Sequence, residues 1–163
     1  MLNDFIRENG KLYIGDGGGK IILPIQKELG KFRKEKKPVF YICDYHRLDD
    51  KEFDLFPPHC LSGTEGANII KELKPSRDDF IIHKRRYSGF FQTDLDITLR
   101  EERIIELELV GVCTNICVLY TAVSARMLNY KVTVLKDAVI SFDQQAHDFA
   151  LKQMKDILGV KIR

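Results

Sequence analysis

The chain has 163 residues, 44% of them hydrophobic, which is enough apolar material for one buried core and implies a single domain over 1–163. Its 26 Lys and Arg against 24 Asp and Glu leave a formal net charge of +2, with acids and bases interspersed, a pattern that excludes a charge-built nucleic-acid or membrane surface. Four cysteines without a secreted-scaffold spacing, an N-terminus without an apolar signal core and no apolar run of membrane-spanning length indicate a cytoplasmic protein with reduced thiols, whose partners are small molecules or copies of itself.

In chain order, Gly15-Asp16-Gly17-Gly18-Gly19-Lys20 lacks the hydroxyl residue and the strand of a phosphate loop, and reads as a flexible approach to a helix. That helix is expected over 20–37, with Ile21, Ile22, Ile25, Leu29 and Phe32 on one face. A short buried strand follows at 39–43.

The loop beyond it carries Asp44, His46, Glu52 and His59. Asp44 and His46 are two apart in extended chain and leave on one face, while Glu52 and His59 can return across a loop stiffened by Pro57 and Pro58. Two imidazoles and two carboxylates suit zinc, iron or manganese better than calcium or magnesium. The alternative is a polar surface loop with a helix-capping aspartate.

A second strand is expected at 79–83, with Lys84 just past its end. A lysine there, close to a thiolate, would stabilise it, whereas the run His83-Lys84-Arg85-Arg86 is otherwise a solvated basic turn. Thr93 opens a helix to 103 with Asp96 three residues on as its capping partner.

The strand at 107–112 runs straight into a helix over 118–128, whose Val118, Ala122, Ala125 and Leu128 form one stripe. Cys117 therefore falls in the first helical turn. Unpaired N–H groups and the positive end of the helix dipole lower a thiol's pKa there, and the same N–H groups can hold an oxyanion. Alternatively, Cys117 is a small buried hydrophobe. A strand at 132–135, a helix opened by the Ser141 and Gln144 capping box and ending near Gly159, and a strand at 160–162 complete the chain. His147, inside that helix, reads as a packing or surface residue. The alternation implies an α/β fold with a parallel sheet, so the loops after Cys43, His83 and Val112 are expected to converge beyond the strands' carboxyl ends.

Together, Asn3-Asp4-Phe5, Asp44-Tyr45-His46, Phe56-Pro57-Pro58-His59-Cys60-Leu61-Ser62-Gly63-Thr64, the stretch 84–90, Gly111-Val112-Cys113-Thr114-Asn115-Ile116-Cys117-Val118 and Asp137-Ala138 resemble the isochorismatase-like cysteine hydrolase superfamily, within it the nicotinamidase and pyrazinamidase branch. The resemblance implies a three-layer α/β/α Rossmann-like domain with a mainly parallel sheet. It matches Cys117 to the nucleophile, Lys84 to the catalytic lysine, and Asp44, His46, Glu52 and His59 to the ligands of a divalent metal, zinc before iron or manganese. The bond between Val112 and Cys113 matches the family's cis peptide, which would aim the N–H groups of Cys113 and Cys117 at the substrate oxygen. Phe5 and Phe56 match the residues that sandwich a pyridine ring, and Tyr87 would line the same pocket. The implied reaction is hydrolysis of nicotinamide to nicotinate and ammonia, in pyridine nucleotide salvage leading to NAD. Alternatives are another isochorismatase-like hydrolase, acting on a carbamoyl or ureido compound or on isochorismate, and a non-catalytic ligand-binding remnant. The family's first, central strand, ending in the general-base aspartate, would precede Met1. The chain is therefore expected to lack that strand, to turn over poorly and to aggregate readily, with a start at an internal methionine favoured over a natural remnant.

Overall fold

The structure, a computed structural model, describes residues 1–163. Its backbone forms two compact units, Met1–Arg86 and Tyr87–Arg163.

The first unit opens with two single-turn helices, α1 (Asn3–Ile6) and α2 (Gly17–Lys20), followed by α3 (Ile22–Lys34). α3 buries Ile25, with Ile21 buried at its N-cap, and sets Lys31, Arg33 and Lys34 at its last turn, where the helix dipole favours cations. Pro24 lies in the first turn, where its missing N–H has no helical partner to lose. The helix expected over 20–37 is shorter because Ile21 joins α2 to α3 and Lys36 turns left-handed, at φ 54°. β1 (Phe40–Asp44) and β2 (Phe80–Lys84) pair in parallel, from Phe40↔Phe80 to Asp44↔Lys84, with the two phenylalanine rings stacked at 4.6 Å. Both strands run one residue beyond the expected ends, because Tyr45 N–H continues the ladder to the Lys84 carbonyl at 3.0 Å. Arg33 ties α3 to this sheet through Tyr41 Oη (3.1 Å) and Asp79 Oδ2 (2.6 Å). Residues ahead of β1 contribute helices and a single bridge, Leu2↔Ile69, so the strand that the resemblance places first is not among residues 1–163.

The second unit alternates helix and strand: α4 (Leu95–Glu101), β3 (Glu106–Val112), α5 (Leu119–Met127), β4 (Lys131–Ile140), α6 (Gln144–Asp156) and β5 (Lys161–Ile162). The sheet order is β3-β4-β5, parallel throughout, as the alternation requires. Ala122, Ala125, Val134, Ala150 and Met154 are fully buried at its centre. β4 is longer than the expected 132–135. Exposed Lys136 and Asp137 break the apolar pattern, but after a register shift between Leu109 and Gly111 the ladder resumes with Gly111↔Val139 and Val112↔Ile140. Gly111 has φ 113°, a conformation that favours glycine.

Two expected capping boxes do not form. Asp96 bonds Arg100 (3.0 Å) and Tyr130 Oη (2.7 Å) instead of reaching back, leaving Thr93 Oγ1 to accept the Leu95 N–H at 3.3 Å. α6 is capped by Asp143, which accepts the Ala146 N–H at 2.7 Å. Ser141 is turned away, donating to Asn115 Oδ1.

Candidate active site

At the carboxyl end of β1 the chain leaves the sheet carrying Asp44 and then His46, whose N–H and C=O bond Cys60 O (3.0 Å) and Ser62 N (2.8 Å). This bridge returns His59 to the strand end. One donor atom each of Asp44, His46 and His59 lies within 4.8 Å of the others, and all three residues are buried. Glu52, from a 3-10 turn at Lys51–Asp54, presents Oε1 3.8 Å from His46 Nε2 and 4.0 Å from His59 Nε2.

Both rings are oriented from behind. His46 Nδ1 lies 3.2 Å from Asp50 Oδ2, and His59 Nδ1 donates to the Pro57 carbonyl at 2.9 Å. Because carboxylates and carbonyls only accept, Nδ1 carries the proton in each ring and Nε2 keeps its lone pair toward Glu52 and Asp44. His46 Nε2 and Glu52 Oε2 are buried without a hydrogen-bond partner. Buried polar atoms are normally satisfied, so these orphaned atoms, beside the converging donors of Asp44, His46 and His59, fit a divalent cation, and this donor set suits zinc. Burial pushes the His59 imidazole below its ordinary range, with the Pro57 carbonyl opposing, which favours the neutral form a metal ligand requires. Burial pushes the Glu52 carboxyl up, a shift that a neighbouring cation would reverse.

Asp50 is a functional residue that sequence spacing does not reveal, because it acts through the fold on His46 Nδ1 and the Glu52 N–H. Burial raises its pKa, but the Glu52 N–H, His46 and Arg86 outweigh that and hold it at about 2. Its carboxylate is therefore charged while it orients His46. Lys84, 4% exposed, forms a buried ion pair with Asp44 across the parallel register. Aromatic rings wall this cradle. Phe5 and Phe53 each meet the His59 ring at 5.7 Å and Phe56 meets it at 6.4 Å. Phe53, also 5.3 Å from His46, was missed because it follows Glu52 in an apparently polar loop.

In the second unit, Val112–Cys113 is a cis peptide. It leads into a π turn, Thr114–Val118, in which the N–H groups of Ile116 and Val118 each reach the Cys113 carbonyl at 3.1 Å. Cys117 thus sits in a π turn just ahead of α5 rather than in the first turn of an α-helix. Thr114 is fully buried, and its Oγ1 lies 2.8 Å from His147 Nδ1, while Asn115 is held by Ser141. The packing role expected of His147 holds, with a hydrogen bond added to it. It is 7% exposed, and its ring also braces the turn that carries Cys117, a role the helical pattern gives no way to see. On α5, Thr121 Oγ1 accepts the Gly89 N–H at 2.9 Å and Ser124 bonds Ser88 at 2.8 Å, which fixes the loop beside Tyr87. Tyr87 itself packs on Tyr120 with ring centroids 5.5 Å apart.

An isochorismatase domain profile matches residues 1–162. The chain belongs to the isochorismatase family. A nicotinamidase/pyrazinamidase from Bacillus subtilis superposes with a TM-score of 0.94 at 36% identity, over 99% of this chain and 93% of that one. A pyrazinamidase of Pyrococcus horikoshii, solved in complex with zinc, gives a TM-score of 0.93 at 31% identity over 100% and 94%. The N-carbamoylsarcosine amidase from Thermoplasma acidophilum gives 0.91 at 34% identity over 100% and 91%. The α/β Rossmann-type fold and the nicotinamidase branch of the superfamily follow from these neighbours.

For an isochorismatase-family hydrolase with four cysteines, thiol accessibility is a direct readout. Cys43, Cys60 and Cys113 are at most 3% exposed, whereas Cys117 is partly exposed. Burial pushes the Cys43 and Cys60 thiols up, keeping them protonated. Iodoacetamide at neutral pH is expected to label Cys117 well ahead of the other three, as read by peptide mass spectrometry. Earlier labelling of Cys43 or Cys60 would contradict this burial pattern.

The His147 brace makes a second prediction. Burial pushes this imidazole below its ordinary value of 6.5, so the folded protein holds it neutral while the unfolded chain protonates it. Stability from this group is present above about pH 6.5 and is lost as pH falls from there through the folded pKa; His59 adds in the same direction. His147→Gln is expected to flatten the fall of Tm between about pH 8 and about pH 5. An unchanged slope would contradict it.

Proposed function

We propose that this chain is a cysteine hydrolase that cleaves the carbon–nitrogen bond of a small aromatic carboxamide, with nicotinamide converted to nicotinate and ammonia. The observation that carries the reading is the buried group of Asp44, His46 and His59 with Glu52 Oε1 3.8 and 4.0 Å from the two Nε2 atoms, a donor set that metal-free chemistry on isochorismate has no use for. The roles follow the chemistry of each group. Cys117 Sγ attacks the carboxamide carbon, and a carbon–sulfur bond forms as the carbonyl oxygen takes the charge. The N–H groups of Cys113 and Cys117 hold that oxyanion. Collapse of the adduct breaks the carbon–nitrogen bond, the nitrogen takes up the proton given up by the Cys117 thiol and leaves as ammonia, and water then cleaves the thioester, its oxygen going to the acyl carbon and one proton to sulfur, which returns the thiol and releases the carboxylic acid. Lys84, ion-paired with Asp44, would supply positive charge to the developing anion. Phe5, Phe56 and Tyr87 offer aromatic faces to a pyridine ring. A divalent cation held by Asp44, His46, Glu52 and His59, with zinc ahead of iron or manganese, would act as a Lewis acid that orients the ring nitrogen.

A cytoplasmic role in pyridine nucleotide salvage fits this substrate. The second reading, a carbamoyl amidase, is favoured by the likeness to the N-carbamoylsarcosine amidase. Ammonia release measured in parallel on nicotinamide and N-carbamoylsarcosine separates the two. The proposal expects a higher kcat/KM for nicotinamide, and turnover of N-carbamoylsarcosine alone would replace it with the second reading.

A further inference from the structure

Asp4 is 8% exposed, and its carboxylate is satisfied by backbone rather than by a cation. Oδ2 accepts the Cys60 N–H at 2.6 Å and Oδ1 accepts the Lys11 N–H at 3.2 Å. The surroundings are shaped for it. A Cβ at Gly66 would lie under 3.0 Å from the carboxylate, and one at Gly10 would lie under 3.0 Å from the Asp4 carbonyl. No side chain larger than hydrogen fits either place without moving Asp4.

The group that Asp4 holds is central to the metal cradle. Cys60 is fully buried, has a left-handed φ of 45°, follows His59 directly, and offers its carbonyl to the His46 N–H at 3.0 Å. One carboxylate therefore anchors the residue that directly follows His59 and whose carbonyl accepts the His46 N–H. Charge-assisted bonds to backbone N–H groups are about twice as strong as neutral ones, which suits a residue in an unfavourable φ.

We infer that Asp4 is a positioning residue for the metal centre, fixing through the Cys60 backbone where His46 and His59 present Nε2. The inference rests on the reading of Asp44, His46, Glu52 and His59 as metal ligands. Asp4 touches neither metal nor substrate.

The test is zinc affinity, measured on the full chain by competition with a chromophoric chelator for wild type, Asp4→Ala, Asp4→Asn, Gly66→Ala and His46→Ala. Supporting partners behind metal ligands typically contribute 10- to 100-fold, so Asp4→Ala is expected to bind zinc about 10- to 100-fold more weakly. Asp4→Asn keeps an oxygen for the Cys60 N–H but sets an amide N–H₂ against the Lys11 N–H, so an intermediate affinity is expected. Gly66→Ala, which displaces the carboxylate without altering it, should also weaken zinc. Wild-type zinc affinity in Asp4→Ala, even with a lowered Tm, would make Asp4 a purely structural residue and overturn the inference. Should Asp4→Ala not fold, unchanged affinity in both Asp4→Asn and Gly66→Ala overturns it equally. Failure of the metal reading looks different: wild type itself would bind zinc no better than His46→Ala, and the inference would fall with it.

Discussion

Cys117→Ala is expected to lower ammonia release from nicotinamide by at least about a thousand-fold, because removing the proposed nucleophile of a covalent mechanism removes the whole path and not one contribution to it. No other thiol can take over. Cys43, Cys60 and Cys113 are at most 3% exposed, and Cys60 is bonded to the Gly66 carbonyl. Cys113 provides the contrast. Its proposed part is played by a backbone N–H, so Cys113→Ala keeps the group that matters and is expected to lose far less. Steady-state ammonia assays on the two variants read the difference directly. Comparable losses in both would mean that the turn Thr114–Val118 matters for folding rather than for nucleophilic attack.

The second large effect is expected at His46. Its ring is 0% exposed, its Nδ1 faces Asp50 and its Nε2 has no hydrogen-bond partner. Alanine there removes one donor of the cradle and leaves the loop otherwise anchored, since Asp50 keeps the Glu52 N–H at 3.0 Å and Arg86 at 2.8 Å. His46→Ala is therefore expected to fold, to lose stoichiometric zinc and to lose most turnover. Asp50→Asn, which only loosens the ring, should weaken zinc by about 10- to 100-fold. Elemental analysis of the purified proteins, with circular dichroism to confirm folding, measures both. One zinc per chain retained in His46→Ala would contradict the cradle.

Much of the fold was legible because the strands of such a protein are short apolar runs bounded by polar loops. Elements 39–43, 79–83 and 107–112 were placed within one residue of β1, β2 and β3. What misled was polar chemistry with more than one local use. Asp96 and Ser141 each have capping-box spacing, yet their side chains find tertiary partners in Tyr130 and Asn115 instead. β4 reads from sequence as ending before Lys136 because a register shift lets a strand carry exposed charges and then resume, something a simple alternating pattern does not register.

The ligand candidates could be named from sequence because their chemistry is intrinsic to the side chains. Their orienting partners could not. Asp50 behind His46, the Pro57 carbonyl behind His59, and Asp4 beneath Cys60 act through geometry that appears only when loops 44–62 and 1–12 fold back on one another. His147 shows the same limit. A histidine on an amphipathic helix carries no sign that its Nδ1 will meet Thr114, 33 positions away in sequence.

Acid-quenched mass spectrometry of the Cys117 peptide, taken from protein mixed with excess nicotinamide, tests the central claim most directly. A nicotinoyl group in thioester linkage to Cys117, appearing during turnover and vanishing when substrate is exhausted, is the predicted result. Ammonia released while that peptide stays unmodified at every quench time, with ammonia release undiminished in Cys117→Ala, would contradict it.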